Sequence, residues 1–164
     1  MQIHCQAQQA FRCSPQAVFD LMVDTQRFPA TFTGYGLIPA IRSITLHGPL
    51  AVGATRRIEN SDGSVLSEQV TALTAPSHHA YILSGFAAPF AWLVTQGAAD
   101  WQIDAVADGG TWVRWRYDFT LTSRLAYPLA ALVLRGFMAR ALQRCLTQMA
   151  AVLDNAAGMA GETV

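Results

Sequence analysis

The chain has 164 residues, enough for one domain with its own core. Its formal net charge at pH 7 is zero and it has no basic stripe, which excludes the electrostatic footprint of a nucleic-acid-binding protein. Charged residues make up 13% of the chain, against ~25% in an average protein, while the apolar share of 52% is near average. This shortage of charge indicates extensive burial, an internal cavity or surface hidden in an oligomer.

The N-terminal sequence and the cysteines indicate the cellular compartment of the protein. The N-terminus, MQIHCQAQQAF, has neither the basic nor the apolar region of a secretory signal. Cys5, Cys13 and Cys145 are odd in number and widely spaced, which argues against a disulfide framework and against a zinc site. We therefore expect a cytoplasmic protein with free thiols. The apolar run 125–134 has about half of the ~20 residues that a membrane span needs, so no stable span is predicted.

The first quarter of the chain predicts one strand and two short helices. Residues 2–13 alternate between apolar and polar side chains, as a half-buried strand does. The dipeptide Ser14-Pro15 is typical of a helix start, and residues 17–23 continue it with apolar residues at helical spacing. A second short helix is expected over 28–32. The glycine and proline content of 33–39 predicts a loop.

Six further strand-like segments follow, each bounded by turn signals rich in glycine, proline or aspartate. Because the connections between successive segments are short, they favour an antiparallel meander. The last segment lies in the sequence DGGTWVRWRYDFTLTS, where a tight-turn signal precedes a strict alternation. The six segments are 41–47, 54–60, 65–73, 78–86, 93–107 and 108–123.

The last predicted element is one long amphipathic helix from about Tyr127 to Leu153. At ~1.5 Å per residue it would be about 40 Å long. The order of elements predicts an α+β fold in which a curved, seven-stranded antiparallel sheet wraps around this helix. One helix cannot cover such a sheet, so a gap between the two is expected. We expect a single domain over 1–157 and a frayed tail over 158–164.

Three segments carry a family resemblance. SPQAVFDLMVDTQRFPATF resembles the capped helix and short second helix of the START/Bet v 1-like (SRPBCC) superfamily. VGATRRIENSDGSVLSEQVTAL resembles the central hairpin of its bacterial polyketide cyclase/dehydrase-like branch, and GTWVRWRYDFTL its last strand. This resemblance covers nearly the whole chain and implies the helix-grip fold, with a hydrophobic cavity between sheet and helix and no general metal or redox cofactor. Members carry or sense lipids, quinones, hormones or polyketides, and a minority catalyse cyclisation or dehydration.

Aromatic residues are the first candidates for a ligand site. The alternation of the last two strands puts large rings on one face, while the long helix and the glycine-flanked loop add further apolar groups. These side chains form either a ligand wall or plain core, and only an actual void distinguishes the two. The predicted ligand-contacting residues are Tyr35, Trp101, Trp115, Tyr117, Phe119, Phe137 and Met138.

Polar residues suggest chemistry at the same place. Glu68 shares the more apolar face of its strand, which predicts a carboxylate inside or at the rim of the cavity. The hairpin brings Arg56 or Arg57 beside it, and Glu68, Arg57 and Tyr117 form the candidate catalytic set. The alternative is a cross-strand ion pair that stabilises the hairpin. A tyrosine hydroxyl can equally hold a ligand oxygen or be satisfied within the core.

These observations support three hypotheses of function. The first is a non-catalytic protein that binds or transports a small hydrophobic ligand, such as a lipid, a quinone or a polyketide-like molecule. The second is an aromatase-like cyclase/dehydratase that works without a metal. The third is an interaction module or homodimer that docks through 125–134. No cofactor is expected, and no metal site either, because the adjacent His78 and His79 point to opposite faces of a strand.

Overall fold

The computed structural model of the protein describes residues 1–161. It contains one seven-stranded antiparallel sheet in the order β1-β7-β6-β5-β4-β3-β2, so that β1 returns to pair with the last strand. The predicted meander is confirmed, and consecutive strands from β2 to β7 are neighbours. The strands are β1 (Gln2–Phe11), β2 (Ile41–His47), β3 (Thr55–Asn60), β4 (Val65–Thr74), β5 (His78–Ser84), β6 (Val94–Ala105) and β7 (Thr111–Leu121).

The two predicted short helices lie between β1 and β2. Helix α1 (Pro15–Val23) begins at Ser14, whose hydroxyl accepts a hydrogen bond from the backbone N–H of Ala17 at 3.3 Å. A 3₁₀ turn follows at Phe28–Thr31. Both pack buried apolar side chains towards the sheet, including Leu21 and Phe28. These elements cover one end of its concave face.

The C-terminal helix is not the uniform α-helix that the periodicity predicts. It consists of α2 (Tyr127–Val133), a wider π turn (Leu134–Met138) and α3 (Ala139–Gly161). A π turn accommodates one extra residue and shifts the side chains that follow it around the helix axis. The thiol of Cys5 donates to the carbonyl of Leu134 at 3.3 Å. The helix extends over 158–161, part of the predicted frayed tail, and 162–164 lie outside the described residues.

The core occupies the concave side of the sheet at its β1 end. Inward side chains of β7 alternate regularly with outward ones, and α3 packs against β1 and the 3₁₀ turn. Leu142, Leu146 and Met149 of α3 are fully buried there. The other end of the sheet, β2 to β5, lies beyond this contact. The space between that part of the sheet and the C-terminal helix forms the candidate site.

Candidate functional site

The concave face and the C-terminal helix enclose a cavity of about 560 Å³. This volume is above the ~300 Å³ at the low end of small-molecule pockets. The mouth of the cavity is formed by Leu37, Trp92 and Leu129, which line it and yet remain 68%, 71% and 56% exposed. The apolar wall consists mainly of Phe28, Phe32, Ile38, Ile44, Ile58, Leu66, Leu83, Phe90, Trp101, Trp115, Phe119, Val133, Met138 and Leu142.

A continuous set of aromatic rings forms the floor of the cavity. Trp101 and Trp115 are direct partners on β6 and β7, and their rings stack with centroids 4.1 Å apart. Tyr117 and Phe119 stack at 5.1 Å on the same face of β7. All four side chains are at most 5% exposed and all line the cavity. The floor is therefore rigid and preformed, because each ring is held by its neighbours.

A buried ion pair lies on β3 and β4, near the β2 edge of the sheet. Arg56 on β3 and Glu68 on β4 are direct cross-strand partners, and they are 5% and 2% exposed. The Nε of Arg56 donates to Oε1 of Glu68 at 2.6 Å, and Nη2 contacts the same oxygen. Burial raises the pKa of Glu68, and the Arg56 charge opposes that shift. Each charge in this pair offsets the desolvation cost of the other.

His79 on β5 extends this pair. Its Nε2 lies 3.3 Å from Nη2 of Arg56. Because a guanidinium can only donate, Nε2 must accept, and the ring is neutral with its hydrogen on Nδ1. Burial, together with the Arg56 charge, lowers the pKa of His79 to about 4. The imidazole is thus an uncharged group at neutral pH.

Two tyrosines complete the polar side of the cavity. Tyr81 on β5 and Tyr117 on β7 both lie opposite Ala99 of the intervening strand, and this small residue lets their hydroxyls meet at 2.9 Å. Nε1 of Trp101 donates to the Tyr81 hydroxyl at 3.5 Å. Burial raises the pKa of both phenols well above the ordinary value, so both are neutral. We call Arg56, Glu68, His79, Tyr81 and Tyr117 the polar cluster.

Five of the seven residues predicted to contact a ligand line the cavity, and two do not. Tyr35 and Phe137 are absent from its wall and pack on each other, with ring centroids 6.3 Å apart. Phe137 belongs to the π turn, which regular helical spacing does not predict, and its ring lies directly against Gly36. The five that line the cavity are Trp101, Trp115, Tyr117, Phe119 and Met138.

The structure also corrects the choice of arginine. Arg57 is half-exposed on the outer face of the sheet, where it pairs with Glu59. Neighbouring residues of a strand face opposite ways, and the hairpin register puts Arg56 on the face of Glu68. Sequence reasoning missed His79 and Tyr81 as site residues, although their alternation in β5 was available as a signal.

A curved antiparallel sheet around a C-terminal helix, with a cavity between them, defines the helix-grip class of the SRPBCC superfamily. The chain belongs to the polyketide cyclase / dehydrase and lipid transport family, whose model matches residues 2–154. The family resemblance seen in the sequence is therefore confirmed. No curated protein matches the chain. Within residues 1–161, no helix is long and apolar enough to cross a membrane.

Solved structures show the same fold at low sequence identity. The Zhui aromatase/cyclase from Streptomyces sp. R1128 has a TM-score of 0.75 and 11% identity, with 94% of each chain covered. Ara h 8.0201 has a TM-score of 0.62 and 14% identity, covering 91% of this chain and 98% of its own. A protein from Nitrosospira multiformis has a TM-score of 0.61 and 17% identity, with 91% and 94% covered. At these identities the similarity concerns the fold alone.

Proposed function

We propose that the protein binds or transports a small hydrophobic ligand, such as a lipid, a quinone or a polyketide-like molecule, in the cavity between sheet and helix. The observation that supports this proposal is the cavity itself, which combines about 560 Å³, apolar walls and a mouth at the surface. A preformed apolar pocket with few polar groups is the usual form of a small-molecule site. Family membership supports the same reading, since lipid transport is part of the family description.

The first experiment measures binding of N-phenyl-1-naphthylamine, an uncharged apolar dye. We expect saturable binding of one dye per chain, with energy transfer from the tryptophans of the cavity floor, Trp101 and Trp115. Native mass spectrometry of the freshly purified protein should also show a copurified ligand. A protein that neither binds the dye nor carries a ligand would contradict the proposal.

A second candidate function is an aromatase-like cyclase/dehydratase. The polar cluster favours it, because a guanidinium, a neutral imidazole and two phenols meet at one side of the cavity. In such an enzyme the hydroxyls of Tyr81 and Tyr117 would donate to the substrate oxygen on which negative charge develops. The candidate catalytic set thus becomes Glu68, Arg56 and Tyr117, with His79 and Tyr81 added. Binding of a poly-β-ketone analogue without turnover would leave the protein as a binder only.

The start of the C-terminal helix supports a third candidate, an interaction surface. Leu125, Leu129 and Leu132 are 93%, 56% and 63% exposed, whereas Val133 and Leu134 are buried. We expect this surface to form a homodimer, and Leu132→Gln to shift the protein towards the monomer in light scattering. A wild-type protein that stays monomeric at high concentration and does not bind liposomes would overturn this reading.

A further inference from the structure

We propose that Glu68 determines ligand specificity: by neutralising Arg56 inside the cavity, it selects uncharged ligands with an acceptor oxygen and excludes carboxylates of the same shape. This inference rests on the proposed binding function and names the ligand class for that site.

The charges inside the cavity cancel, and the one further carboxylate lies exposed at its rim. In the part of the chain that the structure describes, its wall contains one arginine, Arg56, and two carboxylates, Glu68 and Asp62. Asp62 is exposed at the rim and accepts hydrogen bonds from Ser64. The interior pair of Arg56 and Glu68 is therefore neutral as a unit. No net positive charge is left inside to attract an anion.

The ion pair also uses the N–H groups of Arg56 that a ligand carboxylate would need. A ligand carboxylate is held best by two parallel N–H groups of one guanidinium. In Arg56, Nε and Nη2 already contact Glu68, and Nη2 also contacts His79. A second carboxylate at the remaining edge would lie close to the buried Glu68. Like charges at such short range in a dry site repel strongly, which disfavours the anionic ligand.

The free hydrogen-bonding groups of the cavity are neutral donors. Tyr81 and Tyr117 carry two hydroxyl hydrogens but share one mutual hydrogen bond, so one hydrogen has no acceptor among the described residues. Buried donors of this kind are costly unless a ligand oxygen accepts from them. A ketone, quinone or hydroxyl oxygen meets this need without bringing charge.

The test compares two ligands of nearly the same shape at pH 7.5, 2-acetonaphthone and 2-naphthoate, by displacement of N-phenyl-1-naphthylamine. We expect the wild-type protein to bind the ketone at least about tenfold more tightly than the carboxylate. Glu68→Gln leaves the Arg56 charge uncompensated. It should raise affinity for 2-naphthoate by about tenfold or more and change ketone binding little.

Two further variants make the result specific. Glu59→Gln removes a carboxylate that pairs with Arg57 on the outer face, and it should leave the ketone-to-carboxylate ratio unchanged. The double variant Arg56→Gln/Glu68→Gln has no buried charge, so it should fold and keep the preference for the ketone even where Glu68→Gln alone fails to fold. Wild-type protein that binds both ligands equally, or an unchanged ratio in Glu68→Gln, would overturn the inference. A wild-type protein that does not bind the dye would instead remove the binding function itself.

Discussion

His79 shows how the titration of a single buried residue of the site makes the stability of the protein depend on pH. The unfolded chain protonates this imidazole near pH 6.5, whereas burial and the Arg56 charge lower the pKa to about 4 in the folded protein. Stability from His79 is therefore fully present above pH 6.5 and is lost as the pH falls towards 4. The full loss corresponds to about 3 kcal/mol, of which about 2 kcal/mol is already lost at pH 5.

The variant His79→Gln tests this coupling. Glutamine retains an acceptor for Arg56 but does not titrate. The free energy of unfolding of the variant in urea should therefore fall less between pH 7 and pH 5 than that of the wild type. Glu68 acts with the opposite sign, because its raised pKa favours the folded state at low pH. Comparing the two proteins removes that shared contribution. Equal losses of unfolding free energy in the variant and the wild type would show that the pKa of His79 is the same in the folded and unfolded protein.

At the scale of elements, the loop before β2 fits tightly against the π turn. Gly36 has φ of +56°, and a Cβ built there would lie 2.3 Å from the Phe137 ring. We expect Gly36→Ala to destabilise the protein by about 1–3 kcal/mol, since it combines backbone strain with displacement of the ring. The free energy of unfolding in urea measures this effect.

Gly48 provides the matched control for that substitution. Its φ is +79°, but nothing lies within 4 Å of the position where a Cβ would stand. Gly48→Ala therefore carries the backbone strain without the steric contact, and should cost less than Gly36→Ala. Equal costs at the two positions would mean that Phe137 moves aside freely and that the loop and the π turn do not fit each other tightly.

At the scale of the whole molecule, the cavity leaves part of the interior unfilled, which lowers the stability of the folded protein. Filling it with larger side chains should preserve or raise the thermal unfolding temperature while it removes ligand binding. We expect Ile58→Phe combined with Leu83→Phe, two buried positions of the wall, to weaken dye binding by about tenfold or more. Val52→Phe, at an exposed position away from the wall, serves as the control. Undiminished binding in the double variant would place the dye elsewhere.

Local patterns in the sequence determined most of the architecture. A period of two and regular turn signals define seven strands, and the Ser14-Pro15 start defines α1. The same alternation put Glu68, Trp115 and Tyr117 on the concave face, because side-chain direction in a strand follows directly from parity. These features depend on neighbours within a few residues, and such information is present in the chain itself.

Tertiary structure decided the rest. Hairpin register selected Arg56 rather than Arg57, and a small residue on β6 let the hydroxyls of Tyr81 and Tyr117 meet across a strand. The π turn removed Phe137 from the predicted wall. The cavity volume depends on the distance between helix and sheet. Register, helix geometry and the distance between helix and sheet are set by packing in the whole fold, and local periodicity does not determine them.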